Sequence, residues 1–338
     1  MNPYFKGKHG PLMIAEIGGN HEGDFEYAKR LTKKAINADV DYVKFQVYTG
    51  DSLVSSLESP NRNNHFKKFE LTKDEYIYLA EMVKEAGVNF TASVWDIEGI
   101  KCLDKYMSLY KVGSGDLTAY PLLKNITQMG KPMIVSTGLA SEQEILDTIE
   151  YIQSNNAIYY KKEYLALLQC TSMYPIPPKD ANLNVMNRLR HLTDLTVGYS
   201  DHTEGSKALE YAYVMGAEIL EFHFTDSREG KLFRDHKVSL NPEEVNALIE
   251  KIYIINEYKG SENKKALKIE TDNKHHISFR RAVYPSRDIN AGEELTEENL
   301  TTLRPLHGID AREYDDLIGK KAIVDILKHQ KMDWNQIK

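Results

Sequence analysis

With 338 residues, 41% of them hydrophobic, the chain has apolar material for one large domain and a small second one, and its formal charge of −7 excludes the broad basic surface that nucleic-acid binding needs. No run approaches the roughly 18 consecutive apolar residues of a membrane span, and Met1 to Gly10 holds no apolar secretory core, so a cytoplasmic protein without a membrane partner is expected. Cys102 and Cys170 lie far apart with no CxxC spacing, as expected of reduced, buried thiols.

Short apolar runs at residues 12–17, 42–47, 88–93, 109–112, 132–136, 165–170, 195–199 and 218–222 read as eight strands, each followed by a helical pattern. After the first, Ala28, Leu31, Ala35 and Ala38 keep one helix face; Thr72 with Glu75, and Ser141 with Glu144, have the capping-box spacing. Asn241 and Pro242 supply an N-cap and a first-turn proline for the last helix. Eight such repeats predict an α/β chain with a (β/α)8 TIM barrel over residues 1–259 and a site at the C-terminal ends of the strands. An open doubly wound sheet usually needs fewer repeats and a Gly-rich dinucleotide turn, which this chain lacks. Residues 260–277, charged and weakly patterned, read as a linker, and 278–338 as a small α+β module with few core residues.

Polar residues collect where the predicted strands end. Glu16 closes the first, Lys44 and Gln46 the second, and Ser93 the third; Lys111 and Ser114 follow at the fourth, Ser136 and Thr137 at the fifth, and Thr171 and Ser172 at the sixth. Lysines inside apolar strands are costly to bury unless an anion pairs with them, and a bound phosphate or carboxylate would supply that partner. On this reading, removing either lysine spares the ligand-free fold. The turns at Gly113-Ser114-Gly115-Asp116 and Ser136-Thr137-Gly138 offer backbone N–H groups and hydroxyls to an oxyanion. His202 and His223 follow the last two runs, so two consecutive strands would deliver two imidazoles to one sheet edge; such a pair suits an open, Lewis-acidic site for Mn, Fe, Co or Zn.

The segments Ala15-Glu16-Ile17-Gly18-Gly19-Asn20-His21, Val43-Lys44-Phe45-Gln46, Lys111-Val112-Gly113-Ser114-Gly115, Cys170-Thr171-Ser172-Met173-Tyr174-Pro175, Gly198-Tyr199-Ser200-Asp201-His202-Thr203 and His223-Phe224 resemble the sialic acid (N-acetylneuraminate) synthase family over essentially the whole chain. Arg280-Arg281-Ala282-Val283, Asp288-Ile289-Asn290-Ala291-Gly292-Glu293 and Arg304-Pro305 are similar to the antifreeze-like SAF (β-clip) domain that ends such synthases. The resemblance implies condensation of phosphoenolpyruvate with an N-acylated amino sugar and water, releasing phosphate. It further implies a divalent metal (Mn2+, with Mg2+ or Co2+ as alternatives) on His202 and His223, and Glu16 with Asp235 as acid/base candidates. Phosphoenolpyruvate would be held by Lys44, Ser93, Lys111, Ser114, Gly115, Ser136 and Ser200; the sugar would be held by Gln46, Asp116, Tyr174, Asp235 and Arg304. A homodimer, domain-swapped in the family, is implied as well.

The chain departs from the family pattern mainly on the sugar side. Asp116 stands where Glu is common, Phe222 replaces a basic residue, and residues 227–234 lack the usual Pro-Gly approach to Asp235. N-acetylmannosamine is the default sugar, with a diacetamido-trideoxyhexose, the precursor of legionaminic or pseudaminic acid, as the alternative. Two other classes remain: a metal-dependent barrel hydrolase or aldolase, and a non-catalytic carbohydrate-binding protein.

Overall fold

The structure, a computed structural model, describes residues 4–338. The chain divides into a first compact unit ending at Lys259 and a second beginning at Gly260. In the first, the eight barrel strands are β1 (Gly10–Glu16), β2 (Tyr42–Val47), β3 (Asn89–Val94), β4 (Tyr110–Val112), β5 (Met133–Ser136), β6 (Leu165–Cys170), β7 (Thr196–Asp201) and β8 (Ile219–His223). Each pairs in parallel with the next, and β1 pairs with β8, closing the sheet. The (β/α)8 expectation holds, with boundaries within a residue or two. Missing from the sequence reading is a short strand, Lys6–Gly7, antiparallel to the start of β1.

Strand alternation sorts the side chains into two layers. Met13, Ala15, Val43, Phe45, Phe90, Ala92, Leu167, Val197 and Phe222 face outward into the core beneath the helices. Inside the barrel, Leu12, Ile14, Tyr42, Leu109, Ile134, Ala166, Leu168 and Ile219 pack with Phe5 in a separate apolar plug. Phe222, unusual beside a histidine in this pattern, is explained by its outward face, where it is 1% exposed. The inward positions above the plug are polar and open into the site.

The helices start where local chemistry directs. Both capping boxes form: Thr72 donates its N–H to Glu75 Oε2 at 2.7 Å, and Ser141 does the same to Glu144 Oε2 at 2.7 Å. Asn241 Oδ1 accepts the Glu244 N–H at 2.9 Å. Two helices not anticipated from the pattern, Gly50–Leu53 and Pro60–Phe69, fill the connection after β2 and bring aromatic side chains to the strand ends. Among the described residues no helix is long and apolar enough to cross a membrane.

The second unit holds an antiparallel pair, β9 (Ala282–Pro285) and β10 (Leu300–Leu303), over a small core that includes Val283, Ile289, Leu295, Leu317 and Ile326. The stretch read as a linker, residues 260–277, contains one short helix, Lys268–Asp272, and most of a second, His275–Ser278, which runs into the expected module.

Candidate active site

The inward positions converge because barrel closure sets their register. Glu16 is paired with Lys44 on one side and His223 on the other; Gln46 pairs with Ser93, Ser93 with Lys111, and Ser200 with Glu221. One cavity of about 1240 Å³ collects Glu16, Lys44, Gln46, Ser93, Lys111, Ser114, Gly115, Asp116, Ser136, Tyr174, Ser200, His202, His223 and Asp235. Every residue assigned to the site from the sequence lines this cavity except Arg304. That residue belongs to the second unit, where its exposed guanidinium lies 5.6 Å from the Phe279 ring centroid.

Two lysines and two carboxylates form the floor. Lys44 is ion-paired with Glu16 and lies 3.7 Å from Glu221 Oε2, while Lys111 is 3.3 Å from Glu221 Oε1. Ser200 donates to Glu221 Oε1 at 2.9 Å, and Lys111 donates to Ser136 Oγ at 2.7 Å. Burial pulls the Lys44 ammonium down to about 7, against the attraction of Glu221. The lysines therefore do not wait for a ligand to supply a counter-charge; two buried glutamates already do. This corrects the expectation that either lysine can be removed without cost to the ligand-free fold.

Above this floor, turns supply neutral donors. Ser114 Oγ accepts the Gly138 N–H at 3.0 Å, tying together the turns after β4 and β5. A Cβ at Gly138 would come within 2.4 Å of Ser172 Oγ and 2.7 Å of Ser114 Oγ, so glycine is what lets these hydroxyls crowd the same space.

The imidazoles face each other across the cavity wall, with ring centroids 5.4 Å apart. His202 Nδ1 donates to the Thr171 carbonyl at 2.7 Å, which leaves the Nε2 lone pair free. His223 Nδ1 is buried without a hydrogen bond and lies 3.9 Å from Asp235 Oδ2. Burial lowers the pKa of both rings, favouring the neutral form that ligates metals. Tyr174 packs on His202 at 3.9 Å and meets His223 edge-on, and the Arg234 guanidinium covers the Tyr174 ring at 4.7 Å. No cluster of three or more His, Cys, Asp or Glu side chains arranged for a metal occurs among the described residues. A divalent ion would thus take two imidazoles from this chain and fill its other positions with water or substrate. The orphaned Nδ1 and the tautomer of His202 fit that role.

The remaining wall is aromatic. Tyr48 stacks on Trp95 at 5.1 Å and meets Phe66 at 5.2 Å, and Phe69 and Phe233 lie 4.7 Å apart. Asp116 sits beside this wall, its carboxyl pushed up to about 6 by burial, with Trp95 and Lys111 pulling it back. Among the described residues six buried side chains carry an atom without a hydrogen bond, and four of those atoms, Glu16 Oε1, Trp95 Nε1, Glu221 Oε2 and His223 Nδ1, belong to residues lining this cavity. Groups left unpaired in this way concentrate where a ligand completes them. Sequence reasoning missed Glu221 and Trp95. The period of two, counted back from His223 and forward from Ser93, is the signal that marks both as inward-facing.

Comparisons with known proteins agree with this geometry. The NeuB family profile matches residues 31–264, more than half of the chain, and the SAF domain profile matches 280–338. The N,N'-diacetyllegionaminic acid synthase of Campylobacter jejuni is 34% identical over 92% of this chain and 95% of its own. The N-acetylneuraminate-9-phosphate synthase of Mus musculus is 32% identical over 95% of this chain and 90% of its own. Among solved structures, the N-acetylneuraminic acid synthetase of Leptospira borgpetersenii superposes with a TM-score of 0.72 at 28% identity, covering 79% of this chain and 90% of that one. On the barrel, its strand-end residues and these matches, the chain belongs to the NeuB family and ends in a SAF domain.

Proposed function

We propose that the chain is a nonulosonic acid synthase, condensing phosphoenolpyruvate with the open aldehyde form of an N-acylated amino sugar and water, with release of phosphate. The observation that carries this reading is one cavity in which two lysines, ion-paired with Glu16 and Glu221, and a set of serine hydroxyls face two neutral imidazoles. Lys44 and Lys111, with Ser93, Ser114, Ser136, Ser200 and the Gly115 backbone, hold the phosphate and carboxylate of phosphoenolpyruvate by charge-assisted hydrogen bonds. A divalent ion on His202 and His223, Mn2+ by preference, would polarise the sugar aldehyde. The methylene carbon of phosphoenolpyruvate bonds to that carbon, and water adds at the former enol carbon, from which phosphate leaves with its bridging oxygen. Glu16, whose Oε1 is buried and unpaired, takes the proton of that water, the former aldehyde oxygen takes up a proton as the carbon–carbon bond forms, and Asp235 beside His223 assists. Gln46, Asp116 and Tyr174 orient the sugar, and the family resemblance adds Arg304 to the residues that contact it.

Within this class the aromatic wall of Tyr48, Phe66, Phe69, Trp95 and Phe233 favours a diacetamido-trideoxyhexose, with its extra acyl group and missing hydroxyl, over N-acetylmannosamine. The similarity to the Campylobacter jejuni synthase supports the same choice. The test is phosphate release from phosphoenolpyruvate with Mn2+ against a panel of amino sugars. Turnover with a diacetamido-trideoxyhexose is the expected result. Absence of phosphate release with every sugar would overturn the reading.

A further inference from the structure

We propose that Trp95 and Asp116 clamp one polar group of the sugar between them, the Trp95 indole N–H donating and the Asp116 carboxyl accepting. The inference rests on the sugar-condensing reading above and adds a specificity-determining residue to it.

The position of the indole is fixed from both sides. The Trp95 backbone N–H donates to Val47 O at 3.0 Å, and the next residue, Asp96, caps the following helix by accepting the Gly99 N–H at 2.6 Å. One face of the ring stacks on Tyr48, and Phe66 stands at 89° to it at 6.5 Å. Held in this way, Nε1 is buried and has no hydrogen-bond acceptor in the protein. Buried tryptophan N–H groups normally find a partner, and one left without it costs stability. A phenylalanine would keep the stacking without that cost, so the N–H has its use in a ligand.

Asp116 supplies the complementary half. A point one Cβ bond from Gly113 Cα is 3.5 Å from Asp116 Oδ2 and 3.8 Å from Trp95 Nε1, so the two groups border the same small space. The indole N–H acts on this carboxyl as a side-chain donor and lowers its pKa, but the pair does not close to a formed hydrogen bond, so a ligand group between them would complete both. A donor beside an acceptor selects a ligand group that both accepts and donates, which a hydroxyl or a secondary amide does. Phosphate and carboxylate are excluded by repulsion from Asp116, and a methyl or ether lacks the proton Asp116 requires.

Two readouts test the clamp. Trp95→Phe is expected to raise the KM for the sugar about tenfold and leave that for phosphoenolpyruvate unchanged, with a melting temperature equal to or above the parent's. Asp116→Asn is expected to do the same to sugar KM, and the double variant to be little worse than either single, because the two act on one group. Comparing N-acyl with free-amine sugars then tells an amide from a hydroxyl. The second readout needs no turnover. The chain has two tryptophans, so Trp334→Phe leaves Trp95 as the sole tryptophan, excited selectively over the tyrosines, and sugar is expected to shift its fluorescence while phosphoenolpyruvate alone does not. A shift without phosphate release overturns the reaction and keeps the clamp. An unchanged sugar KM in Trp95→Phe, or no fluorescence response to a sugar that is turned over, overturns the clamp.

Discussion

Replacing Lys44 by methionine keeps the unbranched stem, one atom shorter, and removes the charge from the centre of the ion-paired floor. Glu16 then loses its cation, and Glu221 keeps only Lys111, at 3.3 Å. At 3.7 Å and an effective dielectric constant near 20, the Lys44–Glu221 attraction alone is about 4.5 kcal/mol. Part of that is offset by no longer burying the ammonium, which burial already disfavours. Breaking a buried pair from one side typically costs about 3–5 kcal/mol, so Lys44→Met is expected to lower the stability of the ligand-free protein by that much, or roughly 10 °C in melting temperature. Lys44→Met combined with Glu16→Gln removes one charge of each sign and is expected to recover at least half of the loss. Urea unfolding of the two variants and the parent, without phosphoenolpyruvate or metal, measures both quantities. If Lys44→Met lies within about 1 kcal/mol of the parent, the glutamates are not its counter-charges and the reasoning fails.

Asp116 carries an acid-side prediction. Its carboxyl is raised from 3.8 to about 6, chiefly by burial, so the fold favours the protonated form; that contribution is complete below pH 3.8 and is lost as pH rises through 6. Asp116→Asn should therefore stabilise the protein at pH 8 by about 1–2 kcal/mol, after allowance for partial exposure, and match the parent at pH 4; an equal gain at both pH values would reject the cause given. Excess chelator is expected to abolish phosphate release and Mn2+ to restore it, and His202→Ala and His223→Ala should each weaken Mn2+ binding in a calorimeter; full turnover under chelation removes the metal from the proposal. Arg304→Lys should impair use of the sugar and leave phosphoenolpyruvate kinetics alone, since the planar donor fork of arginine is not reproduced by an ammonium; parental sugar kinetics would take Arg304 out of the site.

Local signals carried much of this protein into view. Eight apolar runs, two capping boxes and the Asn241–Pro242 start depend on neighbours a few residues away, and each formed within a residue or two of its expected place. Glu16, Ser136, His202 and His223 were legible for the same reason, since a polar residue ending an apolar strand at a barrel rim faces the mouth. What local pattern left open was which charges meet. Lys44 and Lys111 read as cations awaiting an anion because their partner, Glu221, lies more than a hundred residues away on the strand that closes the barrel. Trp95, two residues past the expected strand, drew no functional reading, and only the packing of Tyr48 and Phe66 around it left its N–H without an acceptor. Strand and helix propensities act over a few residues, so the sequence alone determined the elements and the residues pointing inward. Pairing across the cavity follows from the closure of β1 on β8 and the register it imposes, a long-range constraint that only the tertiary structure decides.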